Sequence, residues 1–244
     1  MPFAARFYPL PLAKFQKTMR QNWWKVLTVI ILFYVLIAGF LAPVPAREIL
    51  NETIRNLYFH VPMWFTMIVL FGASAWSAVK YLRSGKIEDD IASSALASTG
   101  IFFSILGMLT GMEWAQYTWG AAWSNDPKQL GTALCMLTYF AYWVLRGGMK
   151  DEDKRAKISA VYNIFIFALM IPLIFILPRM VDSLHPGNGG NPAFSNYDLD
   201  SKMRLVFYPA VIGWIMFGFW LSSLLNRVQL LQQKKKEQEF DILN

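Results

Sequence analysis

The sequence predicts an all-α integral membrane protein, a single domain over residues 1–244 with six transmembrane helices and both termini in the cytoplasm. Three observations predict it. Hydrophobic residues make up 55% of the chain and charged residues only 16%, with a mean hydropathy of +0.34. A soluble domain carries about 25% charged residues, so this chain cannot cover its apolar side chains in water and needs lipid around them. Second, six stretches lack Asp, Glu, Lys and Arg: 26–46, 61–79, 91–112, 129–145, 158–178 and 205–226. Crossing the hydrocarbon core takes roughly 20 apolar residues in a helix, and alternating strands of about ten residues, the mark of an outer-membrane barrel, are absent. Third, the 23 basic residues divide unequally between alternate flanks.

That division fixes orientation, because Lys and Arg concentrate on the cytoplasmic side. Seventeen lie before span 1 (Arg6, Lys14, Lys17, Arg20, Lys25), between spans 2 and 3, between spans 4 and 5, or after span 6. Six lie in the loops 43–60, 113–128 and 179–204, which therefore face outward. Span 1 follows a basic segment and ends near the small residues Ala42 and Ala46, like a signal peptide. Its apolar run exceeds the 7–15 residues of such a segment, so it is read as a retained helix. The net charge of +7 has the same origin: basic residues sit against anionic lipid at the inner face. No soluble surface is large enough to gather them for nucleic acid, and Lys234–Lys236 reads as a solvated tail beside the membrane. The single cysteine, Cys135, cannot form an internal disulfide and reads as a small core residue of span 4.

The outward loops carry the chemistry. Both histidines of the chain, His60 and His185, fall there. Taken alone, His60 is a first-turn helix residue beside Pro62, and His185 is a loop residue in the turn-rich stretch Pro186–Pro192. The loop between spans 3 and 4 changes that reading: Trp114, Tyr117, Trp119 and Trp123 fall within ten residues, with Gly120 and Pro127 as turn-formers. Aromatic belts place one or two such rings per helix end, and Trp23, Trp24 and Trp64 fit that pattern. A dense cluster beside two imidazoles suits a flat, π-rich ligand that holds a metal. Haem is such a ligand: its iron takes imidazole nitrogen on both axial positions. Its propionates call for cations, and Arg55, Lys128, Arg179 and Arg204 lie on the same face.

These residues also carry a resemblance. The segment Trp119-Gly120-x-x-Trp123-x-x-Asp126 ahead of a hydrophobic span resembles the tryptophan-rich WWD motif of the haem-handling proteins of cytochrome c biogenesis. Tyr58-Phe59-His60-Val61-Pro62 and Leu184-His185 are similar to the two periplasmic histidine motifs of the haem exporter C family within that group. The resemblance extends over nearly the whole chain, with one histidine on each side of the tryptophan loop. It implies that His60 and His185 are axial ligands to a b-type haem, and that Trp114, Trp119, Gly120, Trp123 and Asp126 form its platform. It further implies a bacterial cytoplasmic (inner) membrane protein, a periplasmic haem chaperone as recipient, and partner subunits forming an ABC transporter. The chain departs from the family pattern at Ala122 and Asn125, where the family often has aromatic rings, and at Val181-Asp182-Ser183-Leu184 ahead of His185, where it has a Trp-rich run.

Other functions fit less well. Proton-coupled transporters carry ionisable residues within the membrane, and the six spans have no Asp, Glu, Lys, Arg or His. A permease subunit of an ABC transporter needs cytoplasmic coupling helices, and the loop Lys150–Arg155 is short and highly charged. A non-haem metal enzyme could draw on His60, His185, Glu113 and Asp126, but no close-spaced ligand pair is present. Cys-x-x-Cys-His, the attachment motif of c-type haem, is missing. The expectation is a haem delivery component with no catalytic residues.

Overall fold

The computed structural model describes residues 12–243 apart from 48, 187–193 and 195–197, with side chains placed from residue 22 onward except at residues 240 and 243. Arg6 and the Gly-rich part of the Pro186–Pro192 stretch lie outside the described residues. All regular structure among the described residues is helical: α1 (Leu12–Leu41), α2 (Leu57–Ser84), α3 (Ile87–Trp119), α4 (Pro127–Gly148), α5 (Glu152–Ile171), α6 (Leu177–Met180) and α7 (Ser201–Leu243).

The helix ends show why these boundaries differ from the charge-free stretches. α1 stops at Leu41, short of the predicted 46, because Pro43 and Pro45 follow and the residue before a proline avoids the helical region. Its last carbonyls are closed from outside: Arg55 Nη1 donates to Gly39 O at 3.2 Å and to Ala42 O at 2.6 Å. α2 begins at Leu57 behind a 3-10 turn over Asn51–Asn56, so His60 and Pro62 lie inside the helix rather than in its first turn. α3 runs seven residues past its predicted end, as no breaker precedes Gly120, which takes φ +77° and closes the helix. Half of the expected tryptophan loop is therefore helix. Asp126 caps α4, accepting from the Lys128 amide at 2.9 Å, with Pro127 in the first helical position. The fifth span is interrupted by a π-turn over Pro172–Ile176 before α6. α7 continues as helix to Leu243, well beyond the predicted span end at 226.

Five helical segments are long and apolar enough to cross a membrane: Asn22–Leu41, Asn51–Ser84, Ile87–Trp119, Glu152–Met180 and Ser201–Glu239. α4 falls below that hydropathy because Thr, Tyr and Trp residues dilute it, although its 22 residues reach about 33 Å.

α2 is the central helix, packed against α3, α5 and α7, while α1 leans on α7. The core runs through Met63, Met67, Leu70 and Phe71 of α2 to Ile101 and Phe103 of α3, Tyr139 of α4 and Ile166 of α5. Small residues let α2 and α3 approach closely, as is usual where helices associate in lipid. One buried polar node joins three helices: Asn163 Nδ2 donates to Ser74 Oγ at 2.7 Å and to Ser93 Oγ at 2.9 Å. At the end remote from the tryptophans, Arg146 of α4 makes a two-point pair with Asp90 of α3, at 2.7 and 2.5 Å. Asp90 is 2% exposed.

Removing one partner of a buried pair costs about 3–5 kcal/mol, because the other charge is left uncompensated. Asp90→Ala should therefore lower the thermal unfolding temperature of the detergent-solubilised protein markedly. Asp90→Leu combined with Arg146→Met should restore most of that loss.

Candidate functional site

Asp126 organises the end of the bundle that carries Trp119 and His185. Its Oδ1 accepts from the Lys128 amide and from His185 Nδ1 at 2.8 Å. Its Oδ2 accepts from the Leu184 amide at 2.7 Å and from Ser183 Oγ at 2.9 Å. The carboxylate is 4% exposed. Burial alone would raise its pKa. The hydrogen bond and charge of His185, with the amides of Leu184 and Lys128, outweigh burial and hold it well below the usual carboxylate range. A carboxylate only accepts, so the His185 proton facing it is on Nδ1. In the neutral ring Nε2 is then the lone-pair nitrogen, and it has no hydrogen-bond partner among the described residues. The ring is partly exposed and lies edge-on to Trp119, with centroids 4.8 Å apart.

His60 has the same tautomer by a different device. Its Nδ1 lies 3.0 Å from Gly107 O, which can only accept, and 3.2 Å from Thr110 Oγ1. The Thr110 hydroxyl hydrogen goes to Leu106 O at 2.8 Å, leaving its oxygen to accept as well. Nε2 of His60 is therefore also the lone-pair nitrogen. Trp64 Nε1 donates to it at 3.2 Å. Trp64, expected to be a belt residue, is thus part of the site. Trp114 meets His60 edge-on from α3, with centroids 5.9 Å apart, and its indole N–H donates to Thr53 Oγ1 at 3.2 Å.

The expected platform is thus divided. The end of α3 sends Trp114 to His60 and Trp119 to His185, while Trp123 stands on the loop, 38% exposed. Trp123 Nε1 donates to Asn125 Oδ1 at 2.7 Å. Asn125 has φ +56°, a conformation asparagine tolerates better than an aromatic residue does. Two glutamines that sequence reasoning passed over hold the loop. Gln116 accepts from the Ala122 amide and donates to Gly120 O. Gln129 accepts from Ser124 and donates to Ala122 O. No residue pattern marked them, since their role is to bind loop backbone.

The expected cations separate into two groups. Lys128 Nζ donates to Pro186 O, next to His185, and is pushed below the ordinary lysine range by burial and by the nearby Arg179 guanidinium. Arg179 also donates to Phe175 O at 2.6 Å. Arg55 is engaged with Glu52 and the end of α1, and Arg204 donates to Leu199 O and Phe194 O, both at 3.0 Å. Glu113 is exposed, and among the described residues no group of three or more His, Cys, Asp or Glu side chains could hold a metal ion.

The family model for haem exporter protein C matches residues 7–241. The chain belongs to this family. Relatives named haem exporter protein C share its length as well as its sequence. The Bradyrhizobium diazoefficiens protein is 27% identical over 208 residues, covering 84% of this chain and 78% of the relative. That of Rhodobacter capsulatus is 25% identical over 236 residues (88% and 90%), and that of Haemophilus influenzae is 23% identical over 210 residues (86% and 84%). The substitution at Asn125 is accounted for by the local geometry: it supplies both the left-handed turn and the acceptor for Trp123.

Asp126→Asn would turn an amide N–H₂ toward donors that now meet a carboxylate oxygen. Hydrogen–deuterium exchange at the Leu184 amide should then accelerate at least tenfold, as expected when a hydrogen bond to a charged acceptor, contributing about 1.5–3 kcal/mol, is lost. Amides within α3 should exchange at unchanged rates.

Proposed function

We propose that this member of the haem exporter C family binds a b-type haem at the outer face of the bacterial cytoplasmic membrane and delivers it to a periplasmic haem chaperone for cytochrome c maturation, alongside the subunits of an ABC transporter. The observation that carries the reading is the pair of histidines. Each has its Nδ1 proton fixed by an acceptor, Gly107 O or Asp126 Oδ1, so each keeps its lone pair on Nε2. Metal-bound imidazoles have this arrangement, in which the second nitrogen donates to a carbonyl or carboxylate. Haem supplies a flat apolar macrocycle, an iron that takes two axial nitrogens, and two propionates.

The other residues fit the same cargo. Trp114 and Trp119 place apolar rings beside the two imidazoles, with Trp123 as a more exposed third ring. Lys128 and Arg179 hold two cations near one another beside His185, an arrangement that propionates would relieve. Nothing in this reading requires the chain to break or form a bond in its cargo. It is a delivery component, and the exposed partial surface of His185 leaves one ligand reachable from outside.

Topology follows the same argument. α4 begins behind its Asp126 cap, beside His185, and carries Arg146 in its last turn, paired with Asp90 near the start of α3. It therefore returns along α3 from one end of the bundle to the other, which supports a sixth span despite its lower hydropathy. Both termini are then cytoplasmic, with His60, His185 and the tryptophans outside. Reporter fusions after residues 20, 150 and 240 should read as cytoplasmic, and fusions near 50, 120 and 190 as external. A cytoplasmic signal at 120 would remove the shared outer face.

The test of function is spectroscopic. Purified protein loaded with ferric haem should show a six-coordinate, low-spin absorption spectrum, because two imidazoles split the iron d orbitals widely. His60→Ala and His185→Ala should each lose haem or become high-spin, with added imidazole restoring part of the low-spin signal. Neither variant should load the chaperone. A wild-type spectrum in either variant would remove that histidine from the site.

A further inference from the structure

His60 and Trp64 sit one turn apart on α2 and face the same notch of α3. The notch is made by Gly107 and Gly111, a Gly-x-x-x-Gly spacing that puts both on one helix face. A Cβ at Gly111 would come within 2.5 Å of His60 Cε1, and one at Gly107 within 2.8 Å of Trp64 Cε2. Only glycines admit the two rings together. Within the notch the imidazole is fixed from both ends. The Nδ1 proton goes to Gly107 O, and the Trp64 indole N–H, with ring planes at 86°, points its hydrogen at Nε2.

One lone pair cannot accept an indole proton and bind a metal at the same time. We propose that Trp64 is a latch on His60: it masks the ligand nitrogen while the site is empty, must turn away for haem to bind, and recaptures the nitrogen as haem leaves. The inference rests on the reading of His60 as an axial ligand. The opposite histidine is held differently. His185 Nδ1 is tied to Asp126, and no indole N–H meets its Nε2 among the described residues. The latch therefore acts on one ligand only. It makes His60 the histidine that binds last and lets go first, which suits a protein whose cargo has to move on. Trp64 is a positioning residue in this scheme, acting through His60 and not on the cargo.

The experiment compares the full-length protein in lipid nanodiscs with Trp64→Phe and His60→Ala, using ferric protoporphyrin IX as the probe. Phenylalanine keeps an aromatic ring in the notch and removes only the donor. Trp64→Phe should keep the low-spin spectrum of wild type, bind the probe roughly fivefold more tightly, as expected for one net hydrogen bond no longer competing, and transfer it to an acceptor protein more slowly. In the wild-type protein, the ¹⁵N-labelled indole of Trp64 should report a hydrogen-bonded N–H without the probe and a released one with ferrous, diamagnetic haem. That measurement stands even if Trp64→Phe folds poorly. Unchanged affinity in Trp64→Phe, or an indole signal indifferent to haem, overturns the latch while a spectral loss in His60→Ala keeps the ligand reading intact. Weaker binding in Trp64→Phe also overturns it, making Trp64 a wall of the pocket. A normal low-spin spectrum in His60→Ala overturns the ligand reading and the latch together.

Discussion

Asp126 accepts hydrogen bonds from two parts of the chain, the start of α4 and the loop after α6, and the position of His185 depends on both. The carboxylate caps α4 through Lys128, anchors the loop after α6 through Ser183 and Leu184, and turns the His185 ring by its Nδ1. Burying a lone carboxylate costs several kcal/mol. Hydrogen bonds to a charged acceptor return about 1.5–3 kcal/mol each, so the full set of donors is what makes the burial tolerable. The consequence is geometric. α4 cannot start, and the last outward loop cannot settle, except with His185 beside Trp119 at the end of α3. Asp126, expected from the sequence as a platform residue, thus couples a loop histidine to the rigid bundle as a helix cap.

The second constraint lies between α2 and α3. Their close approach rests on small residues, and at the outer end on Gly107 and Gly111 in particular. That approach brings the Gly107 carbonyl into reach of His60 and so decides which nitrogen carries the proton. At the other end, the Asp90–Arg146 pair ties α3 to α4. Two fixed ends set the register of α3 against both neighbours. Trp114 and Trp119 then point to different histidines because α3 continues as helix to Gly120.

Much of this was legible in the residues. Charge-free stretches marked every long helix, although α4 begins at Pro127 behind its Asp126 cap, two residues ahead of the stretch at 129–145. The two histidines and the tryptophan segment gave residues that the structure brings together, Trp114 with His60 and Trp119 with His185. What could not be read was how far the helices run beyond the charge-free stretches. Nothing in Glu113–Trp119 breaks a helix, yet its polar and aromatic residues read as loop. Side-chain partners across helices were equally hidden. Arg55 looks available for an anion until the end of α1 is seen to need its guanidinium. Trp64 looks like a belt residue until α3 supplies a notch for it. Gly-x-x-x-Gly at 107–111 is the one signal that could have pointed to the notch, and its meaning depends on which rings face it.

The two histidines differ in how strongly their second nitrogen is held, and the difference has chemical consequences. A carboxylate acceptor draws more of the Nδ1 proton's charge than a backbone carbonyl does, and so raises the basicity of the ligand nitrogen. His185, bonded to Asp126, is the stronger donor; His60, bonded to Gly107 O and covered by Trp64, is the weaker. Two equally strong ligands would favour retention, which is what an electron-transfer cytochrome needs. A carrier needs one firm attachment and one that yields. The firm one sits on the partly exposed loop and the yielding one is buried against α3. Under the proposed ligation, release would begin at His60, where the Trp64 N–H can take back the lone pair, while His185 on the partly exposed loop would hold until a recipient replaces it.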